Sequence, residues 1–264
     1  MKNQTAKLAL MLGLATANAQ AQDALPRLEL GISMLALSAA DYRGSQATNN
    51  YLLPFPFLRY RGERFRVDEG VHGIIFDNES LLLTVSGNLS LPTDEDTPER
   101  VGMEQLAASF EIGPALNYRI YKLPGSAWWF DLPLRFAFTL DSELDHIGWV
   151  FQPRLSWRKP ATHLGEWDLH FNFGPLYSSD LYHQYYYSVS MDEALPLRPA
   201  YQAEGGYSGT RTEFSSSRRF GSYRLGGFIR YDDLSGSVIE DSPLVSDTSS
   251  WLGGVVLTWV FHQQ

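Results

Sequence analysis

The C-terminal stretch WLGGVVLTWVFHQQ, residues 251–264, decides the fold. Alternate side chains of an extended strand point to opposite faces. One face of this stretch then carries Trp251, Val255, Leu257, Trp259 and Phe261. The other face carries small or apolar groups and Thr258, although the mean hydropathy of the whole chain is -0.22. The pattern predicts a final strand that pairs with the first strand of the chain and leaves residues 262–264 as a short tail.

The same alternation recurs along the chain. It is clearest in residues 110–119, 128–138, 149–158, 167–173 and 223–231. A soluble β-sandwich has this period too, but here the apolar faces tend to begin or end in Trp or Tyr, as at Trp128, Trp149 and Trp167. Such rings favour the boundary between hydrocarbon and lipid head groups. The pattern therefore favours strands that cross a membrane.

Charged residues alternate with these apolar groups. They are Glu111, Arg119, Arg135, Arg154, Arg158, Asp168, His170, Arg224 and Arg230. A charge facing lipid near the midplane costs about 2–4 kcal/mol, so we expect each to point into a barrel. A lumen filled by these charges would give a rigid scaffold, whereas a wider lumen lined by them would give a small-solute pore. The sequence leaves both open.

The connections between strand-like segments are uneven. Long polar segments cover residues 91–102, 190–217 and 235–250, whereas Lys122 to Gly125 resembles a tight turn. Alternating short turns and long loops are expected of an outer-membrane barrel, and hydrocarbon requires the sheet to close. The sequence predicts an all-β fold: a single closed antiparallel transmembrane β-barrel of about 12 strands, within a range of roughly 10–14.

The N-terminus predicts export. Lys2 and Lys7 precede a short apolar run, and small residues follow at Ala17, Ala19 and Ala21. This is the pattern of a signal peptide, residues 1–21, cleaved after Ala19 or Ala21. Residues 22–264 then form one barrel domain in the outer membrane of a Gram-negative bacterium. A net charge of -9 argues against a nucleic-acid partner, and the absence of cysteine excludes disulfides and thiol chemistry.

Several short blocks resemble the MipA/OmpV family. They are residues 60–62, 102–106, 111–116, 132–135, 148–149, 198–201 with the following GGYSG, 224–245 and 259–261. The resemblance implies an outer-membrane β-barrel with no established catalytic motif. It also implies a scaffold for peptidoglycan machinery, because the best-known member interacts with a lytic transglycosylase and a murein synthase. A lipid bilayer and lipopolysaccharide are the other expected partners.

Three segments invite catalytic or metal-binding hypotheses. In the first, His146 lies near Asp141, Glu143 and Asp145. The second is the stretch SSDLYHQYYY, which contains Ser178, Ser179, Asp180 and His183. The third is the acidic run at residues 93–96. None has the spacing of a metal site, and a triad must converge in space rather than along one strand. We expect solvated loops at the first and third, and an interfacial girdle or lumen packing at the tyrosines. We predict no catalytic, cofactor-binding or metal-binding residues, and a protein that is not an enzyme.

Overall fold

The computed structural model describes residues 25–62, 65–68, 70–77, 80–93 and 97–264, with the backbone alone for 65–68 and 70–77. The predicted signal peptide and the acidic residues 94–96 lie outside the described residues. The strands are β1 (Leu28–Ala40), β2 (Thr48–Arg61), β3 (Phe65–Asp68), β4 (Gly70–Asp77), β5 (Leu81–Ser90), β6 (Ser109–Leu123), β7 (Ser126–Thr139), β8 (His146–Phe151), β9 (Arg154–Lys159), β10 (Trp167–Ser178), β11 (Gly206–Phe220), β12 (Tyr223–Asp233) and β13 (Ser249–Gln263).

Every strand belongs to one antiparallel sheet. The pairing order is β11-β12-β13-β1-β2-β3-β4-β5-β6-β7-β8-β10-β9, with further pairings of β10 with β11 and of β7 with β9. The terminal strand β13 pairs with β1 over Glu29↔Gln263 to Ala39↔Leu252. This confirms the prediction that the last strand pairs with the first. The predicted tail at residues 262–264 is wrong for His262 and Gln263, which belong to β13 and pair with Leu30 and Glu29. The all-β, antiparallel class is also confirmed.

Strands β8 and β9 occupy one position in the sheet. Both lie between β7 and β10: β8 pairs with the later part of β7, and β9 with the earlier part. Only Gln152 and Pro153 separate them, and their side chains keep one alternation across the break. Pro153 has no N–H to donate, which explains an interruption of the ladder at this point.

Helical structure is scarce. Helix α1 (Asp180–Tyr187) begins at Ser179, whose side chain accepts a hydrogen bond from the backbone N–H of Tyr182. Two single 3₁₀ turns cover Pro98–Arg100 and Met191–Glu193. No helix in the described part of the chain is long and apolar enough to cross a membrane.

The longest connections of the chain all lie at one end of the sheet. Since consecutive strands are antiparallel, residues 41–47, 91–108, 140–145, 179–205 and 234–248 all lie at one end of the sheet, here called the loop end. Residues 124–125, 160–166 and 221–222 connect strands at the opposite, turn end. The expected loop at residues 190–217 is only partly confirmed, because Gly206–Phe220 is β11. Serine and threonine alternate there with residues of the opposite face, which is a strand pattern.

The polarity of the two faces of the sheet is the reverse of that in a soluble protein: the apolar face is exposed and the charged face is buried. On β13, Leu257 is 52% exposed, whereas the neighbouring Thr258 is 1% exposed. The buried face carries charged groups on most strands, including Glu29, Arg59, Glu111, Asp131, Arg135, Asp168, Arg211, Arg219, Arg224 and Asp232. The exposed face carries Ile32, Leu52, Ile112, Phe130, Phe136, Trp149, Phe173, Ile229, Val255 and Trp259.

A cluster of buried apolar side chains lies at the loop end. This loop cluster consists of Tyr42, Leu106, Ala137, Ile147, Tyr186, Tyr187, Val189, Ala203, Leu234, Ile239 and Leu244. Most of its members come from the long connections and from α1. The Tyr42 hydroxyl donates to the carbonyl of Leu244 at 2.7 Å, and that of Tyr187 donates to the carbonyl of Arg43 at 2.9 Å. The loop cluster therefore ties distant loops together over one end of the buried face.

Candidate functional site

The candidate site is the network of charges on the buried face. At its turn end, Glu29 of β1 accepts a hydrogen bond from Arg219 of β11. The same carboxylate lies 3.0 Å from Arg61 Nη1 and 3.7 Å from Arg224 Nη2. Glu29 is 0% exposed. Burial of a carboxylate is tolerated when several cations surround it, as they do here.

A second ion pair joins strands that are not neighbours. Arg59 of β2 donates to Asp168 of β10 at 3.0 Å, and both side chains are buried. His170 Nε2 lies 2.9 Å from the other oxygen of Asp168. In the pairing order, β1, β13, β12 and β11 stand between β2 and β10 on one side, and β3 to β9 on the other. The pair therefore spans the space between opposite parts of the sheet.

Two further carboxylates organise the middle of the network. Asp131 accepts from Ser156 Oγ at 2.5 Å and from Arg158 Nη2 at 2.5 Å. Arg154 lies 3.6 Å from Asp131 and 3.7 Å from Glu213, so it bridges β7 and β11. Glu213 in turn accepts from its cross-strand neighbour, Arg230 Nε, at 2.8 Å.

The loop end of the network reaches α1. Glu111 accepts from Arg135 Nε at 2.8 Å and from the Tyr182 hydroxyl at 3.2 Å. Asp232 accepts from Arg211 Nε at 2.8 Å, and Arg43 Nε lies 3.2 Å from the same oxygen. Charges on the strands are thus linked directly to residues of α1 and of the first long connection.

The structure places all nine predicted inward charges on the buried face. The guanidinium groups of Arg119 and Arg158 both lie over the ring of Trp129, at 5.6 Å and 5.0 Å from its centre. The alternation also places Asp131 on this face, but several other partners were not predicted from the sequence: Glu29, Arg59, Arg211, Glu213, Arg219 and Asp232. Each of these residues lies on the inner face of its strand by the same period-2 alternation, and that alternation could have identified them.

The two alternatives expected for the tyrosines of SSDLYHQYYY were an interfacial girdle or packing in the interior, and the structure agrees with interior packing. The segment begins at the end of β10 and continues into α1, and its tyrosines pack in or against the loop cluster. A serine cap followed by Asp180 in the first turn was the overlooked signal of a helix.

The histidine of this segment is enclosed. His183 is 0% exposed, with Nδ1 2.6 Å from the carbonyl of Glu204 and Nε2 2.5 Å from Ser208 Oγ. Asp180 instead accepts from the backbone N–H of Gly205 at 2.5 Å. Burial lowers the pKa of His183, which favours the neutral ring. Since Ser208 is buried too, this pair holds α1 against β11 and presents no nucleophile to solvent.

His146 and its acidic neighbours lie apart from the charged network of the buried face. His146 begins β8, is exposed, and has its ring 5.3 Å from that of Phe138. Asp141 accepts hydrogen bonds from Thr139 Oγ1 and from the backbone of Glu143 and Leu144, which closes the connection on itself. These hydrogen bonds lower the pKa of Asp141. Within the described residues, no group of three or more His, Cys, Asp or Glu side chains is placed to hold a metal ion.

A cavity of about 150 Å³ lies on the buried face beneath α1. It is lined by Tyr42, Tyr182, Tyr186 and Tyr187 towards the loop end. The charged pairs Glu111–Arg135 and Arg211–Asp232 form another part of its wall, and Leu37, Val150 and Leu176 supply apolar surface. The cavity therefore combines aromatic rings with a few convergent polar groups, as small-molecule sites do.

Fold and site together define a protein with one antiparallel sheet, a charged and internally paired buried face, an apolar exposed face, and a packed loop end. The chain belongs to the MipA family: the family description "MltA-interacting protein MipA" matches residues 32–261. The match runs from β1 to β13. No curated protein matches the sequence.

Several solved structures are similar in part. A bacterial polysaccharide outer membrane secretin aligns at 9% identity over 89% of this chain and 99% of its own, with a TM-score of 0.42. The CymD monoaromatic hydrocarbon channel aligns at 12% identity over 90% and 89%, with a TM-score of 0.35. The P. putida toluene transporter TodX aligns at 12% identity over 90% and 67%, with a TM-score of 0.29. At these scores the likeness is partial.

Proposed function

We propose that this chain is a closed transmembrane β-barrel of the bacterial outer membrane that acts as a non-enzymatic scaffold for peptidoglycan machinery. The observation that carries the proposal is the inversion of the two faces: charges are buried and paired, while large apolar side chains are exposed on strand after strand. Water would penalise such a surface, since soluble monomers rarely expose extended apolar patches. Hydrocarbon favours it.

The pairing order supports closure at twelve positions. Strand β13 pairs with β1, and β10 pairs with β11. The thirteen strand segments of the described chain occupy twelve positions if β8 and β9 count as one. An even number agrees with single-chain bacterial barrels, and a closed sheet leaves fewer edge groups to be satisfied in lipid. The predicted signal peptide would direct residues 22–264 to this membrane.

The filled interior favours a scaffold over a channel. The ion pair between Arg59 and Asp168 crosses the space that a solute would use, and the loop cluster covers the loop end. A rigid, sealed barrel is suited to presenting a fixed surface to other proteins. The name of the family, MltA-interacting protein, supports a murein enzyme as the partner.

Charge asymmetry points to the surface that meets such a partner. The loop end exposes acidic groups: Asp141, Glu143, Asp145, Asp180, Asp192, Glu204, Glu240, Asp241 and Asp247. The turn end carries exposed or partly exposed cations: Arg27, Arg119, Lys122, Arg158, Lys159 and Arg218. In our proposal the turn end, which holds the C-terminus, faces the periplasm and binds an acidic surface of the partner. The loop end faces lipopolysaccharide.

Two measurements on the purified full-length protein test the proposal. In planar bilayers, a scaffold gives no conductance steps, whereas discrete steps would support the alternative, a passive small-solute channel. In pull-downs from detergent-solubilised envelopes, murein enzymes should be retained by the natural sequence and lost on Arg27→Glu with Lys122→Glu. The matched reversal at the loop end, Glu240→Lys with Asp241→Lys, should retain them. Equal retention of murein enzymes by both double variants would contradict our proposal that the turn end binds the partner.

A further inference from the structure

Two cations of the turn end lie on the exposed, apolar face of the sheet, unlike the charges of the buried network. Arg218 of β11 is in register with Trp167, the first residue of β10. Lys159, the last residue of β9, is in register with Leu169, two positions after Trp167. Residues in register on antiparallel strands share a face, and so do residues two apart on one strand. Since Trp167 is 40% exposed, Arg218 and Lys159 point outward with it.

Both cations lie within a girdle of aromatic side chains at the turn end. Arg218 stands two residues before the last residue of β11, and Lys159 ends β9. Rings on the same face and at the same end of the strands are Tyr121, Trp128, Trp157, Trp167, Phe220, Tyr223 and Trp259. Such rings mark the boundary between hydrocarbon and lipid head groups. A lipid-facing cation is costly near the midplane but costs little at this boundary, so the position suits both side chains.

Arg218 is held by aromatic rings and lacks an anion. Its guanidinium lies over the ring of Phe220 at 5.0 Å and over that of Trp167 at 5.7 Å. Among the described residues, its Nε has no hydrogen-bond partner and its guanidinium forms no ion pair. The carboxylate of Glu166, next to Trp167 in the chain, instead accepts from the backbone N–H and the hydroxyl of Thr162. A fixed guanidinium is therefore available to an anion from outside the chain.

Lys159 supplies a second positive charge beside the same tryptophan. Its Nζ donates to the carbonyl oxygen of Trp167 at 3.2 Å. An ammonium has three N–H donors, so two are left for another acceptor. Trp167 thus stands between a guanidinium that contacts its ring and an ammonium that contacts its backbone. A forked donor and a point charge on either side of one residue suit the oxygens of a phosphate group.

The exposed face next to these cations has a depression. One step towards the loop end from Arg218, Leu169, Ser216 and Gly227 lie in register across β10, β11 and β12. Ser216 and Gly227 are small, whereas Phe214, at the next step, is 40% exposed. Two small residues side by side leave a depression in an otherwise bulky apolar surface. A pair of cations that borders an apolar depression matches the two parts of a lipid.

We propose that this site binds the phosphate of an anionic glycerophospholipid, whose acyl chains lie against the exposed face. The inference rests on the proposed barrel in a membrane, where the turn end lies in the periplasmic leaflet. Arg218 and Lys159 bind the phosphate oxygens, and the depression at Ser216 and Gly227 receives the first carbons of an acyl chain. An anionic head group is preferred, because a zwitterionic one would bring its own ammonium close to two cations.

Native mass spectrometry of the full-length protein, released from detergent micelles, counts the lipids that remain bound. From equal amounts of phosphatidylglycerol and phosphatidylethanolamine, the natural sequence should retain phosphatidylglycerol selectively at one site. Arg218→Gln with Lys159→Gln should weaken this binding by roughly ten-fold or more, because two cations near the lipid phosphate are lost. The control is Arg27→Gln with Lys122→Gln, at the turn-end cations assigned above to the protein partner. It removes the same charge and should leave lipid binding unchanged.

The proposal is overturned if the natural sequence does not prefer phosphatidylglycerol, or if both double variants lose the lipid equally. Displacement of the lipid by excess inorganic phosphate would also overturn it, because the ligand would then be the free ion. The lipid preference and the phosphate competition require no variant, so they decide the matter even if a double variant does not fold. Failure of the barrel proposal is distinguishable, because that protein would show neither a heat-dependent gel shift nor incorporation into lipid nanodiscs.

Discussion

Arg59 and Asp168 form a 3.0 Å ion pair between β2 and β10, strands that lie far apart in the pairing order. The pair joins opposite parts of the sheet through its buried face. Loss of one partner from a buried pair costs about 3–5 kcal/mol, because the remaining charge stays buried without that partner. Replacement of both groups by apolar ones is far less costly.

Asp168→Ala should therefore lower the free energy of unfolding by roughly 3 kcal/mol or more. The double variant Arg59→Met with Asp168→Leu should recover much of that loss. Urea titration of the lipid-folded protein measures both. Asp241→Ala, which removes an exposed carboxylate, is the control. A double variant as unstable as Asp168→Ala would show that Arg59 and Asp168 are not coupled.

A charge introduced on the exposed face of β13 should impair insertion. Leu257→Arg places a cation where we propose hydrocarbon, at a cost of about 2–4 kcal/mol near the midplane. His262→Arg, in the exposed end of the same strand, should have little effect. The yield of heat-modifiable protein in outer-membrane fractions measures the difference. Equal yields from the two variants would argue against lipid contact at Leu257.

The docking of α1 should depend on Gly148. This residue has φ +112, and a Cβ there would lie 2.3 Å from Ser179 Oγ and 2.6 Å from the Tyr182 nitrogen. Gly148→Ala should combine backbone strain of roughly 1–3 kcal/mol with displacement of the helix. Gly125→Ala, at φ +74 with nothing within 4 Å of the added Cβ, isolates the strain. Hydrogen exchange in residues 180–187 should accelerate in Gly148→Ala alone; equal exchange in both variants would be inconsistent with the docking.

Acid should loosen the packing of α1. Burial lowers the pKa of His183, Arg43 acts in the same direction, and the Glu204 carbonyl and Asp180 oppose the shift. The unfolded chain therefore binds the proton at the higher pH. Stability from the neutral ring is complete above about pH 6.5 and declines as the pH falls below that value towards the folded pKa.

Hydrogen exchange in α1, corrected for the intrinsic pH dependence, measures this loss. His183→Gln should reduce protection at neutral pH and abolish its further decline in acid. A natural sequence whose protection does not change between neutral and mildly acidic pH would contradict the assignment.

The features of the fold that the sequence predicts are those that depend on local alternation of apolar and polar residues. The inner and outer sides of β7, β9, β10 and β13 follow from period 2, because a slip of one residue would move the charged side chains to the apolar face. The pairing of β13 with β1 follows from the apolar character of the chain end. The break between β8 and β9 could not be predicted from the sequence, since Pro153 lies within an otherwise regular alternation.

The partners within the network depend on long-range geometry. The alternation places Asp168 on the inner face, but its contact with Arg59 depends on the path of the strands between β2 and β10. Helix α1 was missed because eight residues rich in tyrosine resemble strand as much as helix, and burial against other loops decides the outcome.

The measurement that tests the central claim most directly is a spin-label scan of β13 in reconstituted lipid vesicles. Single cysteines at residues 254–259 of this cysteine-free chain each carry one nitroxide. Accessibility to oxygen, which concentrates in lipid, should be high at 255, 257 and 259 and low at 254, 256 and 258. Uniform accessibility to a water-soluble relaxation agent, with no alternation, would contradict a barrel whose apolar face meets the bilayer.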